Sequence, residues 1–169
     1  MPAGKVHDRI TYWSLPPLTA LVYGLTQKVH LAALFALAYV FSGLMFGPDL
    51  DIHSVQYRRW GVLRWLWLPY RRAIKHRSWL SHGFIAGTVI RLLYLGVIGT
   101  CMGFIALSIQ PDWRRYLPQS GTQLAPWIPE ILTLLIGLES AAMGHSLSDY
   151  LSTVWKKRRQ RKKPRRSRR

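Results

Sequence analysis

Residues 29–47, VHLAALFALAYVFSGLMFG, contain no Asp, Glu, Lys or Arg, and their one imidazole, His30, sits at the extreme start. Nineteen residues at about 1.5 Å each make a helix of roughly 28 Å, close to the hydrocarbon thickness of a bilayer. This stretch predicts a membrane-spanning helix, and the rest of the chain is read around it.

Two further blocks have the same character. Residues 83–109 are interrupted only by Arg91, and residues 129–155 open with Pro129 as a first-turn proline and carry Glu139 inside. Residues 15–27 are weaker: about half to two-thirds of a comfortable span, with Pro16 and Pro17, which would break a longer helix. They are expected to form a short or kinked helix that folds back on the next through Thr26, Gln27 and Lys28; the alternative is an interfacial helix that does not cross. The block begins late and lacks a small-residue cleavage site, so no cleavable signal is expected. The fold class expected is all-α: an integral membrane bundle of four helices over residues 1–155, followed by a basic disordered tail over residues 156–169.

Composition supports that division. Hydrophobic residues make up 49% of the chain and charged residues 18%, yet the formal net charge is +17. A chain both greasy and basic must keep the two properties apart, and eleven of its 24 Lys and Arg residues lie in residues 156–169. The single cysteine, Cys101, excludes an internal disulfide and reads as a small buried hydrophobe.

Charge sets the orientation. With four crossings, the N-terminus, residues 48–80 and the tail share one side, which holds twenty of the 24 basic residues; the other side holds Lys28, Arg114 and Arg115. The positive-inside rule then places both termini in the cytoplasm and the protein in the cytoplasmic (inner) membrane. Residues 57–75, YRRWGVLRWLWLPYRRAIK, alternate aromatics with arginines and contain no acid. They are expected to lie along the cytoplasmic membrane surface against anionic lipid headgroups; packing on the bundle is the alternative.

Acids are scarce, seven in all, so their placement carries information. Asp8 follows His7, Asp49 and Asp51 sit in one Pro-Asp-Leu-Asp turn, and Asp149 lies four residues after His145. His76 and His82 flank His-Arg-Ser-Trp-Leu-Ser-His. Four crossings bring all eight residues to the cytoplasmic mouth, although that parity was deduced from charge alone. Imidazole with carboxylate suits zinc, manganese or iron, as one ion or two, and a soft thiolate site is excluded. His145 and Asp149 stand about 40° apart on a helix and can converge on one ion, with Glu139 and Ser146 on the same polar arc. Extended geometry around Pro48 would aim Asp49 and Asp51 the same way. The metal ligands expected are His7, Asp49, Asp51, His82, His145 and Asp149, with Asp8, His76, Glu139 and Ser146 as supporting groups. Each has a plainer counterpart: Asp49 as a helix cap, His7 exposed near the terminus, His76 in the basic strip, and His145 with Asp149 as a charge-paired anchor. His30 falls on the far side, and His53 is at best a substitute ligand. Arg91 and Glu139 are the formal charges deep in apolar helices; the two readings are a mutual pair and snorkelling of Arg91 to water.

The motifs Gly4-Lys5-Val6-His7-Asp8, Pro48-Asp49-Leu50-Asp51, Tyr57-Arg58-Arg59-Trp60-Gly61 and His76-Arg77-Ser78 with Leu80-Ser81-His82-Gly83 resemble those of a bacterial family of uncharacterised membrane metal-binding proteins. The resemblance covers roughly residues 4–150 and implies metal binding. A more distant likeness is to membrane-bound metal-dependent hydrolases, which share a Pro-Asp-x-Asp turn and a His-Arg…His pattern. Their second motif has Thr before its His and Ser after it, where this chain has Ser81 and Gly83.

The leading expectation is a metal-dependent hydrolase at the cytoplasmic membrane surface, with Arg58, Arg59, Arg71, Arg72 and Arg77 holding an anionic substrate such as a phosphoester or lipid. A second reading is a non-catalytic protein whose metal ties helix ends together. A third takes residues 156–169 as a nucleic-acid or ribosome-binding arm; attraction to anionic lipid or a solvated topology anchor explains that tail better.

Overall fold

The computed structural model describes residues 4–109 and 124–161. Among the described residues the structure is all-helical, with no strand. The long helices are α1 (Gly4–Thr26), α2 (Val29–Leu44), α6 (Ala86–Ile109) and α7 (Ile128–Arg161). Between α2 and α6 the chain makes a 3-10 turn (Pro48–Asp51), α3 (Val55–Arg59), a 3-10 stretch (Gly61–Trp67), α4 (Leu68–Ala73) and α5 (Trp79–His82); a further 3-10 turn (Ala125–Trp127) leads into α7. Three segments are long and apolar enough to cross a membrane: Val29–Asp51, Ala86–Ile109 and Ala125–Gln160.

The charge-free α2 forms the centre of the structure and packs against both α7 and α1, which also touch each other. Gly137 permits the close approach to α7. A Cβ there would stand 2.8 Å from both the Ala38 Cβ and the Phe35 carbonyl oxygen. The fully buried Ser42 hydroxyl donates to the Leu138 carbonyl at 2.6 Å, so the helices are joined by a polar bond as well as by packing. A small core of Phe35, Tyr39 and Ala141 receives Leu15, Leu18 and Val22 from α1.

That packing explains a departure from expectation. The first helix begins at Gly4 rather than near residue 15 and runs through Pro16 and Pro17 without ending. The prolines remove two helical N–H donors, but Leu15 and Leu18 are seated on α2, and the Ser14 hydroxyl shares a 2.6 Å hydrogen bond with that of Tyr39. Tertiary contacts hold the helix where propensity alone would break it. The hairpin to α2 turns at Gln27, whose φ of 53° lies in the left-handed region.

Residues 57–75 divide between two environments. Tyr57, Trp67 and Tyr70 join Phe46 and Leu50 in a second core, against which Tyr94 and Leu95 of α6 pack. Val62, Leu63, Trp65 and Leu68 remain exposed. The Tyr94 hydroxyl donates to the Leu66 carbonyl, fastening α6 to this layer. By contrast α6 touches α7 only lightly, so most of its apolar surface faces outward. Cys101 is therefore exposed, contrary to the expectation of burial. α7 continues to Arg161, so the first part of the basic tail is helical, as suits straight-chain Lys and Arg at a helix C-terminus. Residues 162–169 lie outside the described residues, as do Arg114 and Arg115.

Candidate metal centre

Four separate pieces of chain deliver the His and Asp side chains. His7 lies in the first turns of α1, Asp49 and Asp51 on the 3-10 turn after α2, His82 at the end of α5, and His145 and Asp149 on α7; His76 precedes α5. Pro48 starts the turn at its first position, with φ preset for a helical conformation. Asp49 and Asp51 are consequently not extended, as the sequence reading supposed. Two positions along a 3-10 helix differ by about 240°, so the carboxylates diverge: Asp49 faces His145 and Asp51 faces His76, while His82 stands near both.

The α5 segment is held under backbone strain. Arg77 and Ile85, which bracket it, have φ of 58° and 64°, and the left-handed region is especially unfavourable for β-branched isoleucine. Glu139 Oε1 accepts the Ile85 N–H at 2.8 Å. Arg91, buried in α6, donates from Nη1 to the Ser81 carbonyl at 3.1 Å and from Nη2 to the Thr88 hydroxyl at 2.9 Å. Glu139 and Arg91 therefore do not pair with one another. Each instead holds one flank of the turn that carries His82.

The geometry converges tightly. His145 Nε2 stands 3.3 Å from Asp49 Oδ2, and His82 Nε2 stands 3.7 Å from Asp49 Oδ1. His7 Nε2 is 3.3 Å from Asp149 Oδ1, and its ring stacks on that of His145 with centroids 3.8 Å apart. One ligand atom from each of Asp49, His82, His145 and Asp149 lies within 4.8 Å of all the others. A second group, Asp51, His76 and His82, meets the same condition, with His76 Nδ1 at 2.8 Å from Asp51 Oδ1. Arg77 Nη2 approaches Asp149 Oδ2 at 3.8 Å.

Hydrogen bonding fixes which ring nitrogens carry lone pairs. Ser148 donates its hydroxyl proton to the His145 carbonyl at 2.9 Å, so its oxygen accepts from His7 Nδ1–H at 3.1 Å. Ser81 lies within reach of the Ser78 and Lys75 carbonyls and so accepts from His82 Nδ1–H at 2.9 Å. Nε2 of both His7 and His82 is then a bare lone pair aimed at a carboxylate, a repulsive arrangement that a cation between them reverses. Burial, then the neighbouring His145 ring, holds His7 below its ordinary imidazole value despite Asp149, which favours the neutral, metal-competent form.

The buried atoms Asp49 Oδ1, Asp51 Oδ2, His76 Nε2, His82 Nε2, His145 Nδ1 and Nε2, and both Asp149 oxygens have no hydrogen-bond partner among the described residues. Folded proteins rarely leave such groups unsatisfied. Here they gather at one place, and their mixed nitrogen and oxygen character matches borderline divalent metals.

Several supporting groups stand elsewhere. Asp8 forms a two-point pair with Arg59, at 2.9 and 2.6 Å, which raises the guanidinium pKa; it joins neither cluster. Among the described residues it is the Ser148 hydroxyl, not that of Ser146, that bonds a clustered imidazole. Ser148, one turn from His145 on the ligand-bearing face, occupies the supporting position, and its i, i+3 spacing was the available signal. Arg71 stacks over the Tyr57 ring at 4.4 Å, while Arg58 and Arg72 are exposed. His30 pairs with Glu130 at 3.3 Å, and His53 packs edge-on against Tyr57. An apolar cavity of about 370 Å³ between α6 and α7 is lined by Ile85, Leu92, Ile136 and Glu139 but by none of the clustered His and Asp residues.

An all-helical protein in which imidazoles and carboxylates from four segments converge carries a candidate His/Asp cation-binding centre. The chain belongs to the family described as "Uncharacterized metal-binding protein (DUF2227)", matched over residues 2–159. It is also 36% identical over 62 residues to an "Uncharacterized protein" of Aquifex aeolicus (strain VF5), a match covering 36% of this chain and 43% of that relative. No solved structure matches the chain.

Proposed function

We propose that this is a membrane-embedded, divalent-metal-dependent hydrolase acting on an anionic phosphoester or lipid at the cytoplasmic face. The observation that carries the metal reading is the set of orphaned buried acceptors on Asp49, His82, His145 and Asp149. His7 adds a fifth group against Asp149.

The membrane reading is supported by three apolar segments of spanning length and by the outward-facing apolar side chains of α6, such as Leu93, Val97 and Phe104. α1 would be the fourth crossing, from about Leu15 onward, giving an even number and placing both chain ends with the His and Asp residues in the cytoplasm. Exposed Trp13 and Trp65 suit the headgroup layer, and the basic end of α7 suits anionic lipid.

A divalent ion supplies Lewis acidity, acidifying water and drawing charge from a phosphoryl oxygen. The chain's own contribution is to hold the His7 imidazole neutral, to orient the His7 and His82 rings through Ser148 and Ser81, and to present Arg77 beside Asp149. Arg58, Arg71 and Arg72 on the same layer would draw an anionic substrate in; Arg59 is engaged with Asp8.

The experiment is elemental analysis of the detergent-purified protein, followed by a panel of phosphomonoesters, phosphodiesters and phospholipids with and without added Zn²⁺ or Mn²⁺. Metal-dependent turnover lost in H145A supports the hydrolase. Retained metal that stabilises the fold, with no turnover across the panel, overturns catalysis in favour of a metal that ties helix ends together.

A further inference from the structure

The two side-chain clusters are distinct in geometry, and His82 belongs to both. Asp49 sends Oδ2 toward His145 at 3.3 Å and Oδ1 toward His82 at 3.7 Å. Beyond His82 lies Asp51, whose carboxylate is fully buried: Oδ1 is bonded to His76 and Oδ2, 4.0 Å from His82 Nδ1, has no hydrogen-bond partner among the described residues. His76 Nε2 is likewise buried and unpartnered. A single cation among Asp49, His145 and Asp149 satisfies the first set of orphaned acceptors and leaves these two bare. Leaving a buried carboxylate oxygen and an imidazole lone pair unsatisfied is costly, and the divergence of Asp51 from Asp49 on the 3-10 turn aims it away from the first cluster.

We infer that the chain binds two divalent cations, one at Asp49, His145 and Asp149 and a second at Asp51 and His76, with His82, the member common to both groups, standing between them. The inference rests on the metal reading above and deepens it. Paired hydrolytic metals commonly stand about 3.5–4 Å apart, holding the attacking and leaving oxygens of one displacement. The Asp-x-Asp spacing acquires a reason: the two divergent carboxylates serve one ion each.

The test uses the full-length protein in detergent, stripped with chelator, reloaded with Mn²⁺ and counted per chain by elemental analysis. The expected result is two ions in the wild type and one in both D51N and H76Q. Two Mn²⁺ at that separation also give an exchange-coupled paramagnetic spectrum, which becomes that of isolated Mn²⁺ in H76Q. His76 is partly exposed, so H76Q keeps a polar group there without opening the core. One ion per saturated wild-type chain, unchanged in H76Q but lost in H145A, overturns the second site and leaves the first standing. No ion in the wild type overturns both readings together.

Discussion

His7 and Asp149, from opposite ends of the chain, stand 3.3 Å apart and both are buried. α1 and α7 both pack on α2, and this contact joins them where the other imidazoles and carboxylates collect. It exists because α1 is helical from Gly4, which carries His7 to the end of α7 that bears His145.

Asp8 and Asp49 are both carboxylates near this mouth, but only Asp49 faces imidazole lone pairs. D49N is expected to weaken metal binding on the order of 100-fold or more, since even outer groups contribute 10–100-fold at such centres. D8N should leave metal content unchanged and lower stability by about 1 kcal/mol through loss of a partly exposed ion pair. Metal competition titration and thermal unfolding of both variants check this.

Metal removal should destabilise the fold, because the site joins four separate segments. At a free-metal concentration about 1,000 times Kd, binding stabilises the native state by about 4 kcal/mol. For a chain of this size that corresponds to a fall in Tm on the order of 10 °C on chelation. A Tm indifferent to chelator would mean that the segments are held together without a cation.

Acid should act in the same direction. The folded-state pKa of His7 is lowered, so the unfolded chain takes up its proton first, near pH 6.5. The stability this neutral ring contributes is present above that pH and is lost as pH falls below it. Proton competition for the metal has the same sign. Tm and metal affinity should both decline from about pH 7 to pH 5, whereas H7N should flatten the metal-free part of the Tm curve.

Gly83 follows His82 at a place where no side chain fits. A Cβ there would stand 2.2 Å from the Trp79 carbonyl oxygen, a backbone atom that cannot move aside without unwinding α5. G83A is expected to cost about 1–3 kcal/mol and to weaken metal binding by displacing His82. G96A, with open space around the new Cβ, is the matched control in the same unfolding and titration measurements.

The long apolar segments were legible because long runs with little charge have few alternative fates, and α2, α6 and α7 fall where those runs lie. The resemblance in the His and Asp motifs pointed to the metal-binding family. The role of Asp8 was not legible: its partner Arg59 is 51 positions away, and nothing in either local sequence announces the pair. Ser146 and Ser148 present the same difficulty, since both lie near His145 and only the approach of α1 selects Ser148. The prolines of α1 misled for a similar reason, because their local cost is known but the compensating contacts come from α2.

By itself the sequence determined that the protein is helical and apolar in three long segments, that its positive charge is segregated from them, and that imidazoles and carboxylates recur in short motifs. These are consequences of one-dimensional pattern: hydrophobic run length, residue type and spacing. Only the tertiary structure decided that Asp49 and Asp51 diverge, that Arg91 and Glu139 brace the His82 turn instead of pairing, and that His7 meets Asp149. Those outcomes depend on the direction in which each side chain leaves its backbone and on contacts between distant segments, neither of which is set by the neighbours in sequence.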